Sequence, residues 1–394
     1  MRYCLLLLWL LVAASTQAQL LVSGRLLDEH QQPVPYASVA LANGRTGTAS
    51  NEVGEFSLKV PALPQQLIVL SIGYERAVVS VAQAGPLPAP VVLRTSAVQL
   101  PEVTVRANAE AEDLVRRCYA KLVRHKDDVQ YGHGFYRQKT LEDGRYREIF
   151  DAFYDVKLTP RNMPSWVLGE ARYAFTPGVM TMNNFSVYTR LLPLFVLPGN
   201  GVKTAIPLGP DAAERFRFVL RHVQREQGRE LAVIDFAPRV AADQVARGTM
   251  YIDTRTAALF RIEKELPAVS MFNSDNADVR IEQAQMRITA DYVVQHDSLT
   301  CLASTRVVAA LRLNVKGVAH ESTSMSQFLV YGYGPPTPGQ KYRDTDAGAN
   351  DLAAIKKRRY HPAFWRDNAV VKDSPVEAQV IADFEGRRVF GKLD

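Results

Sequence analysis

The side chains able to do chemistry are few in this sequence, and their spacing is uninformative for most reactions. Seven histidines occur in 394 residues, and none opens a His-x-x-Glu or His-Glu-x-x-His pattern. A zinc peptidase needs three protein ligands and an open position for water, and that set has no spelling here. His320 and Glu321 are neighbours on an expected strand, so their side chains should face opposite sides. Gly132-His133-Gly134 is too short for a dinucleotide-binding turn. Asp344, Asp346, Gly348, Asn350 and Asp351 are spaced somewhat like a calcium loop, but the distal bidentate glutamate is missing. Gly-x-Ser-x-Gly, Ser-x-x-Lys, phosphate-loop and Cys-x-x-Cys spellings are absent as well. No catalytic, cofactor-binding or metal-binding residue is therefore assigned, and no cofactor is expected. Paired carboxylates brought together only by folding leave no such spelling. A hydrolase of glycan or peptide, built from distant Asp and Glu, thus stands as the alternative to a non-enzymatic binding role.

Two further groups of residues invite a functional reading. Met180, Met182, Phe185, Tyr188, Leu191, Leu192, Leu194, Phe195 and Val196 crowd a stretch rich in Pro and Gly. They suit either the mouth of a ligand site or a plug that fills one. Lys356-Lys357-Arg358-Arg359 is the one dense basic run; it is a solvated helix face or a contact for phosphate and anionic headgroups. The net charge of +6 is otherwise scattered, so no nucleic-acid partner is expected, while peripheral membrane contact is allowed.

The elements that must carry these residues read mainly as strands. Residues 110–126 are the clearest helix: Leu114, Val115, Cys118, Tyr119 and Leu122 form an apolar stripe. Acidic residues are expected to open it and basic ones to close it. Long alternating segments follow, in hairpins at 131–158, 215–236, 248–266 and 279–315, with one more strand to 331. Such a succession predicts an antiparallel meander whose apolar face the helix covers. A linker at 332–339 and a tail with short helices at 351–359 and 376–384 complete the chain, with Phe364 and Trp365 expected to anchor the tail on the sheet.

The N-terminus has the order of a secretory signal peptide: Arg2, an apolar run from Leu5 to Val12, then Thr16-Gln17-Ala18 as a cleavage site. The run is shorter than a membrane span, and Cys4 precedes it, which argues against lipidation. Residues 1–18 are thus expected to be removed, leaving Cys118 and Cys301; whether these two pair is left open.

Residues 19–105 show six or seven short strands separated by turns, as an all-β sandwich does. Val22-Ser23-Gly24-Arg25, Pro33-Val34-Pro35-Tyr36-Ala37-Ser38-Val39, Gly54-Glu55-Phe56 and Ile72-Gly73-Tyr74 resemble the carboxypeptidase-regulatory-like domain. That resemblance implies a transthyretin-like sandwich, common on exported Gram-negative proteins, and no peptidase activity. Ile234-Asp235-Phe236-Ala237-Pro238 with the hairpin at 248–262 resembles an uncharacterised exported family in which such a domain precedes an antiparallel region, and, more weakly, the half-barrel of periplasmic lipoprotein carriers. The expectation is a mainly β protein with a few helices. It comprises a seven-stranded sandwich, then a curved, half-barrel-like antiparallel sheet covered by a helix over 110–331, then a linker and helical tail over 332–394. It would be exported to the periplasm or the outer membrane and bind an apolar ligand or an envelope partner.

Overall fold

The computed structural model describes residues 20–43, 46–99, 105–180, 182, 185–190, 193–199, 206–226, 228–240, 245–269, 272, 274, 276–295, 299–344, 351–368 and 370–391. Its residues fall into two units, one of 1–94 with 369–374 and one of 95–368 with 375–394.

The first unit is built from short strands: β1 (Leu20–Asp28), β2 (Ser38–Leu41), β3 (Gly47–Ala49), β4 (Glu55–Val60), β5 (Gln65–Leu70), β6 (Ala77–Val81), β7 (Gly85–Pro86) and β8 (Val91–Leu93). One sheet runs β4-β1-β7 with β8 also on β1, and the other runs β3-β2-β5-β6. Phe56, Leu58 and Val60, at every second position of β4, meet Val39, Leu41, Leu67 and Val69 of the other sheet in one apolar core. The resulting sandwich includes the short β3 and β7, which have too few residues to show a pattern. Gly54 is required by its turn: φ is +77°, and a Cβ would lie 2.4 Å from the Leu26 carbonyl oxygen. Thr48 Oγ1 donates to the Val370 carbonyl, and Lys372 pairs with Glu55 at 2.8 Å, so 370–372 are held within this unit.

The second unit begins with β9 (Val98–Gln99) and α1 (Val105–Arg124). Strands β10 (Gln130–Glu142), β11 (Arg145–Leu158) and β12 (Ser165–Phe175) come next, then the short helices α2 (Val187–Arg190) and α3 (Ala212–Arg215). Seven more strands follow: β13 (Phe216–Glu226), β14 (Arg229–Pro238), β15 (Arg247–Asp253), β16 (Leu259–Leu266), β17 (Val279–Val294), β18 (Thr300–Val315) and β19 (Val318–Gly334). The tail holds α4 (Asp351–Lys356), α5 (Pro362–Asp367) and α6 (Pro375–Gly386).

All eleven strands share one curved, open sheet, in the order β12-β11-β10-β19-β18-β17-β16-β15-β14-β13-β9. This corrects the simple meander. Strands β13 to β19 do follow one another, but β12 is not beside β13. The last strand, β19, returns to pair with β10 from Tyr131↔Gly334 to Glu142↔Ser322. Pairing with β10, interrupted only by a bulge between His133 and Gly134, thus satisfies an edge that a plain meander would leave open.

Helix α1 covers the β13–β16 part of the inner face. Ala111, Leu114, Val115, Cys118 and Leu122 pack with Phe216, Ile234, Met250, Ile252 and Ile262. Burying Leu114 and Leu122 contributes about 1.5–3 kcal/mol each. The helix starts at Val105 and not at 110, so its first turn carries no acid. Asp113 instead accepts hydrogen bonds from Arg116 and Arg117, one turn on. Lys121 and Arg124 do close it. The tail anchors as expected: Phe364 and Trp365 each lie 5.4 Å from the Phe153 ring on the outer face of β11. Cys118 and Cys301 are both free and buried, and burial pushes each thiol up to about 12.

Candidate functional site

The described apolar residues of the stretch at 176–210 lie on the inner face. Met182 and Phe185 join the cluster formed by Met286, Ile288, Val307 and Ala309 of β17 and β18. Leu194 and Phe195 join the α1 cluster, with Phe195 fully buried. Met180 and Tyr188 are only partly covered, and 191 and 192 lie outside the described residues. Most of this stretch is therefore plug. The plug is also held by polar contacts: Gln138 Nε2 reaches the Met182 carbonyl at 3.5 Å, Arg161 Nε donates to the Phe195 carbonyl at 3.3 Å, and Tyr119 Oη donates to the Val196 carbonyl at 3.0 Å.

A cleft remains where the plug, the β11–β12 connection and the inner faces of β16 to β18 meet. Its interior has room for a water or two; the space of about 440 Å³ around it includes open solvent. Met163, Leu194, Ile288, Ala290 and Leu302 give it an apolar lining, and Thr159, Thr189, Thr305 and Tyr292 add hydroxyls. Among the described residues that line it, Arg161 and Lys264 are positive and none is a carboxylate.

Lys264 is the residue that sequence reading passed over. On β16 the alternation Ile262, Lys264, Leu266 sets it on the same face as two core side chains, one of them fully buried Ile262. Its register partners are Ile288 on β17 and Gly248 on β15. The residue is half-buried, and the cleft gives it some solvent. Burial lowers its pKa to about 8. A lysine at an inward position, flanked by apolar residues two places away on both sides, is a signal the sequence does carry.

Several other titratable groups buried in this unit are held by ion pairs and hydrogen bonds. On the outer face of β10–β12, Asp151 accepts from Arg137 Nε at 2.7 Å and Arg172 Nε at 2.8 Å. Lys139 pairs with Glu377 of α6 at 2.7 Å, closing the tail over the cluster. On the inner face, Glu148 Oε2 accepts from Thr140 at 2.8 Å and Gln138 at 3.1 Å. Burial outweighs those hydrogen bonds and raises the Glu148 pKa.

The motifs singled out above end in ordinary roles. His320 Nδ1 lies 2.8 Å from Asp143, while Glu321 turns to Arg312 at 3.2 Å, so the two do separate. His133 Nδ1 lies 2.7 Å from Asp155. Asp344 lies 3.8 Å from Lys157; Asp346, Gly348 and Asn350 lie outside the described residues. In the basic run, Lys356 Nζ sits 6.0 Å from the Tyr173 ring centre, and Arg358 donates to the Leu168 carbonyl of edge strand β12 at 2.6 Å. Those two residues hold the tail. Among the described residues no group of three His, Cys, Asp or Glu is placed to hold a metal.

Residues 22–105 match the CarboxypepD_reg-like domain family, as their motifs suggest. No curated protein matches the chain. Among solved structures, a DUF1329 family protein from Desulfovibrio piger is 9% identical, with 63% of this chain and 97% of that one covered and a TM-score of 0.24. A LolA superfamily protein from Nitrosomonas europaea is 5% identical, covering 60% and 94%, at 0.22. A putative outer membrane lipoprotein-sorting protein domain from Vibrio parahaemolyticus is 11% identical, covering 61% and 99%, at 0.24.

Proposed function

We propose that this is an exported envelope protein whose second unit binds an apolar or amphiphilic ligand in the inner-face cleft, without catalysing a reaction. The observation that carries the reading is the lining of that cleft. Five apolar side chains and a few hydroxyls converge in it, as in small-molecule sites generally, and its described lining lacks the paired carboxylates a glycosidase needs. Export rests on the N-terminal sequence alone, since residues 1–19 lie outside the described ones. Among the described residues no helix is long and apolar enough to cross a membrane, which leaves crossing by strands untouched.

The test is titration of the full chain with N-phenyl-1-naphthylamine, whose emission rises in apolar surroundings. Wild-type protein should show one saturable site. Leu302→Trp, which fills the cleft from β18, should weaken binding at least about tenfold, or about 1.4 kcal/mol, with an unchanged melting temperature. Absence of saturable binding to the wild type, or equal binding by a folded Leu302→Trp variant, would falsify the proposal. For export, mass spectrometry of native protein should find a mature N-terminus near Gln19.

A further inference from the structure

A separate depression lies where the last turns of α1 meet the β15–β16 turn, and it shares no lining residue with the inner-face cleft. It opens to solvent and has room of about 440 Å³, within the range of small-ligand sites. Arg117, Ala120, Lys121, Arg124 and His125 follow helical spacing and form one wall, while Thr256 and Ala257 form the other. Among the described residues that line it, four are basic and none is a carboxylate. Their charges are not equally committed. Arg117 Nε donates to Asp113 at 3.0 Å, and His125 Nδ1 lies 2.7 Å from Asp128. Lys121 Nζ donates to the Thr256 carbonyl at 3.1 Å, which fixes the ammonium and leaves two further N–H donors for another partner. That carbonyl is held in place in turn, because Asp253 Oδ1 accepts from the Arg255 and Thr256 backbone N–H groups at 3.0 and 2.6 Å. Arg124, one turn on from Lys121, has neither an ion pair nor a hydrogen bond among the described residues. Two full positive charges thus adjoin on one wall. The opposing half-charge of a helix C-terminus is smaller, and the Lys121 and Val123 carbonyls there already accept from the His125 and Lys126 N–H groups.

We propose that this depression binds the phosphate group of a small phosphorylated molecule, a phosphomonoester or diphosphate, at Lys121 and Arg124, with Arg117 and His125 at its edge. A carboxylate would bring one negative charge, whereas a phosphate group near neutral pH brings about 1.5–2, which matches the pair. The planar Arg124 fork can take two phosphate oxygens, and the Lys121 ammonium acts as a point charge beside it. An extended anionic membrane suits this surface poorly. Asp113, Asp127 and Asp128 are solvent-accessible next to the same wall and would repel it, while a small anion seated in the depression meets the basic lining. The site is independent of the inner-face cleft and of what the cleft holds.

The test is isothermal titration calorimetry of the full chain with pyrophosphate near neutral pH. Wild-type protein should show one saturable site. Arg124→Gln, a change at an exposed side chain, should weaken binding at least about threefold, and Lys121→Gln combined with Arg124→Gln at least about tenfold. Melting temperatures of the variants separate loss of the site from loss of the fold. Lys357→Gln combined with Arg359→Gln removes the same charge from the tail and should leave the affinity within about twofold. Absence of saturable pyrophosphate binding by the wild type, or wild-type affinity in Arg124→Gln, overturns the proposal. An equal loss in the tail variant overturns it too, since net charge alone would then draw the anion. Flotation with phosphatidylglycerol vesicles supplies the second arm, in which wild type and the Lys121→Gln, Arg124→Gln variant should behave alike. Flotation of the wild type that this variant loses would assign the wall to a membrane surface and end the small-molecule reading.

Discussion

Gly248 and Lys264 are register partners on β15 and β16, one without a side chain where the other carries an ammonium. The glycine is there because the two backbones crowd: a Cβ at 248 would come within 1.8 Å of the Glu263 carbonyl oxygen. Neither that oxygen nor its strand can yield without breaking the ladder. Gly248→Ala should therefore destabilise the second unit by about 1–3 kcal/mol, read as a lowered urea midpoint. A midpoint unchanged by the added methyl would mean that β15 and β16 do not lie in this register.

Lys264→Met should stabilise the protein in the absence of ligand. The folded-state pKa of about 8 is below the unfolded value of 10.5. Below about pH 8 both states hold the proton, and the folded state bears the cost of the partly buried charge. Between about 8 and 10.5 the unfolded chain holds more protons, so wild-type stability rises with pH. The variant should lead by about 2 kcal/mol near pH 7, with the lead fading through that window. Urea unfolding of both proteins across the range decides it; a lead that does not change with pH would remove the buried-charge account.

These two residues also mark how far the sequence can be read. Alternation located β10, β11 and β13 to β19, because one face of each is buried and the period shows. It missed β12, where Gly169 and a bulge opposite Ala152 to Tyr154 break the period. It could not find the β10–β19 pairing, since residues some 190 apart leave no local trace of their contact. Nor could it tell plug from ligand mouth around Phe195, because both uses require the same apolar residues. Lys264 was visible as a charge out of phase with its strand, but only the fold shows that no carboxylate among the described residues lines its cleft. The grouping of 369–374 with the first unit has no sequence signal.

Asp151 tests the outer-face cluster. Burial alone would raise its pKa, but Arg137 and Arg172 outweigh that and hold the carboxyl below its usual value of 3.8. Asp151→Asn leaves two buried guanidiniums without their carboxylate and should cost about 3–5 kcal/mol. Because the folded pKa is depressed, the carboxylate contributes its stability above pH 3.8 and loses it only as pH falls further. Wild type and variant should thus converge below that pH and differ by a constant amount above it, as followed by circular dichroism during acid titration.

Leu122 tests the cover. Its side chain is buried beneath α1 with Cys118 and Leu114. Leu122→Ala should lower stability by roughly 2–5 kcal/mol, measured by urea denaturation, with the cooperative transition of the first unit left in place. A loss under about 0.5 kcal/mol would mean that α1 is not packed on the sheet in solution.

Glu148 makes the most specific prediction of pH dependence. Its carboxyl lies on the inner face, with Oε2 bonded by Thr140 and Gln138, while Oε1 meets no partner among the described residues. Burial, the largest influence, raises its pKa above the usual 4.5; hydrogen bonds from Thr140, Gln138 and Tyr173, with Lys356 nearby, oppose it without prevailing. The folded state therefore holds a proton that the unfolded chain releases above about pH 4.5. Stability from this group is complete below that pH and is lost as pH rises toward the folded pKa. Glu148→Gln keeps the shape and the neutral charge at every pH, so it escapes that loss. The two proteins should be equally stable near pH 4, within about 1 kcal/mol. Above it the variant should gain steadily on the wild type, and the gap should level off once the wild-type carboxyl ionises in the folded state. Urea midpoints from about pH 4 to about pH 9 give the whole curve. A gap that stays flat over this range, or one that favours the wild type at high pH, would show that Glu148 is ionised in the native protein and that burial does not govern it.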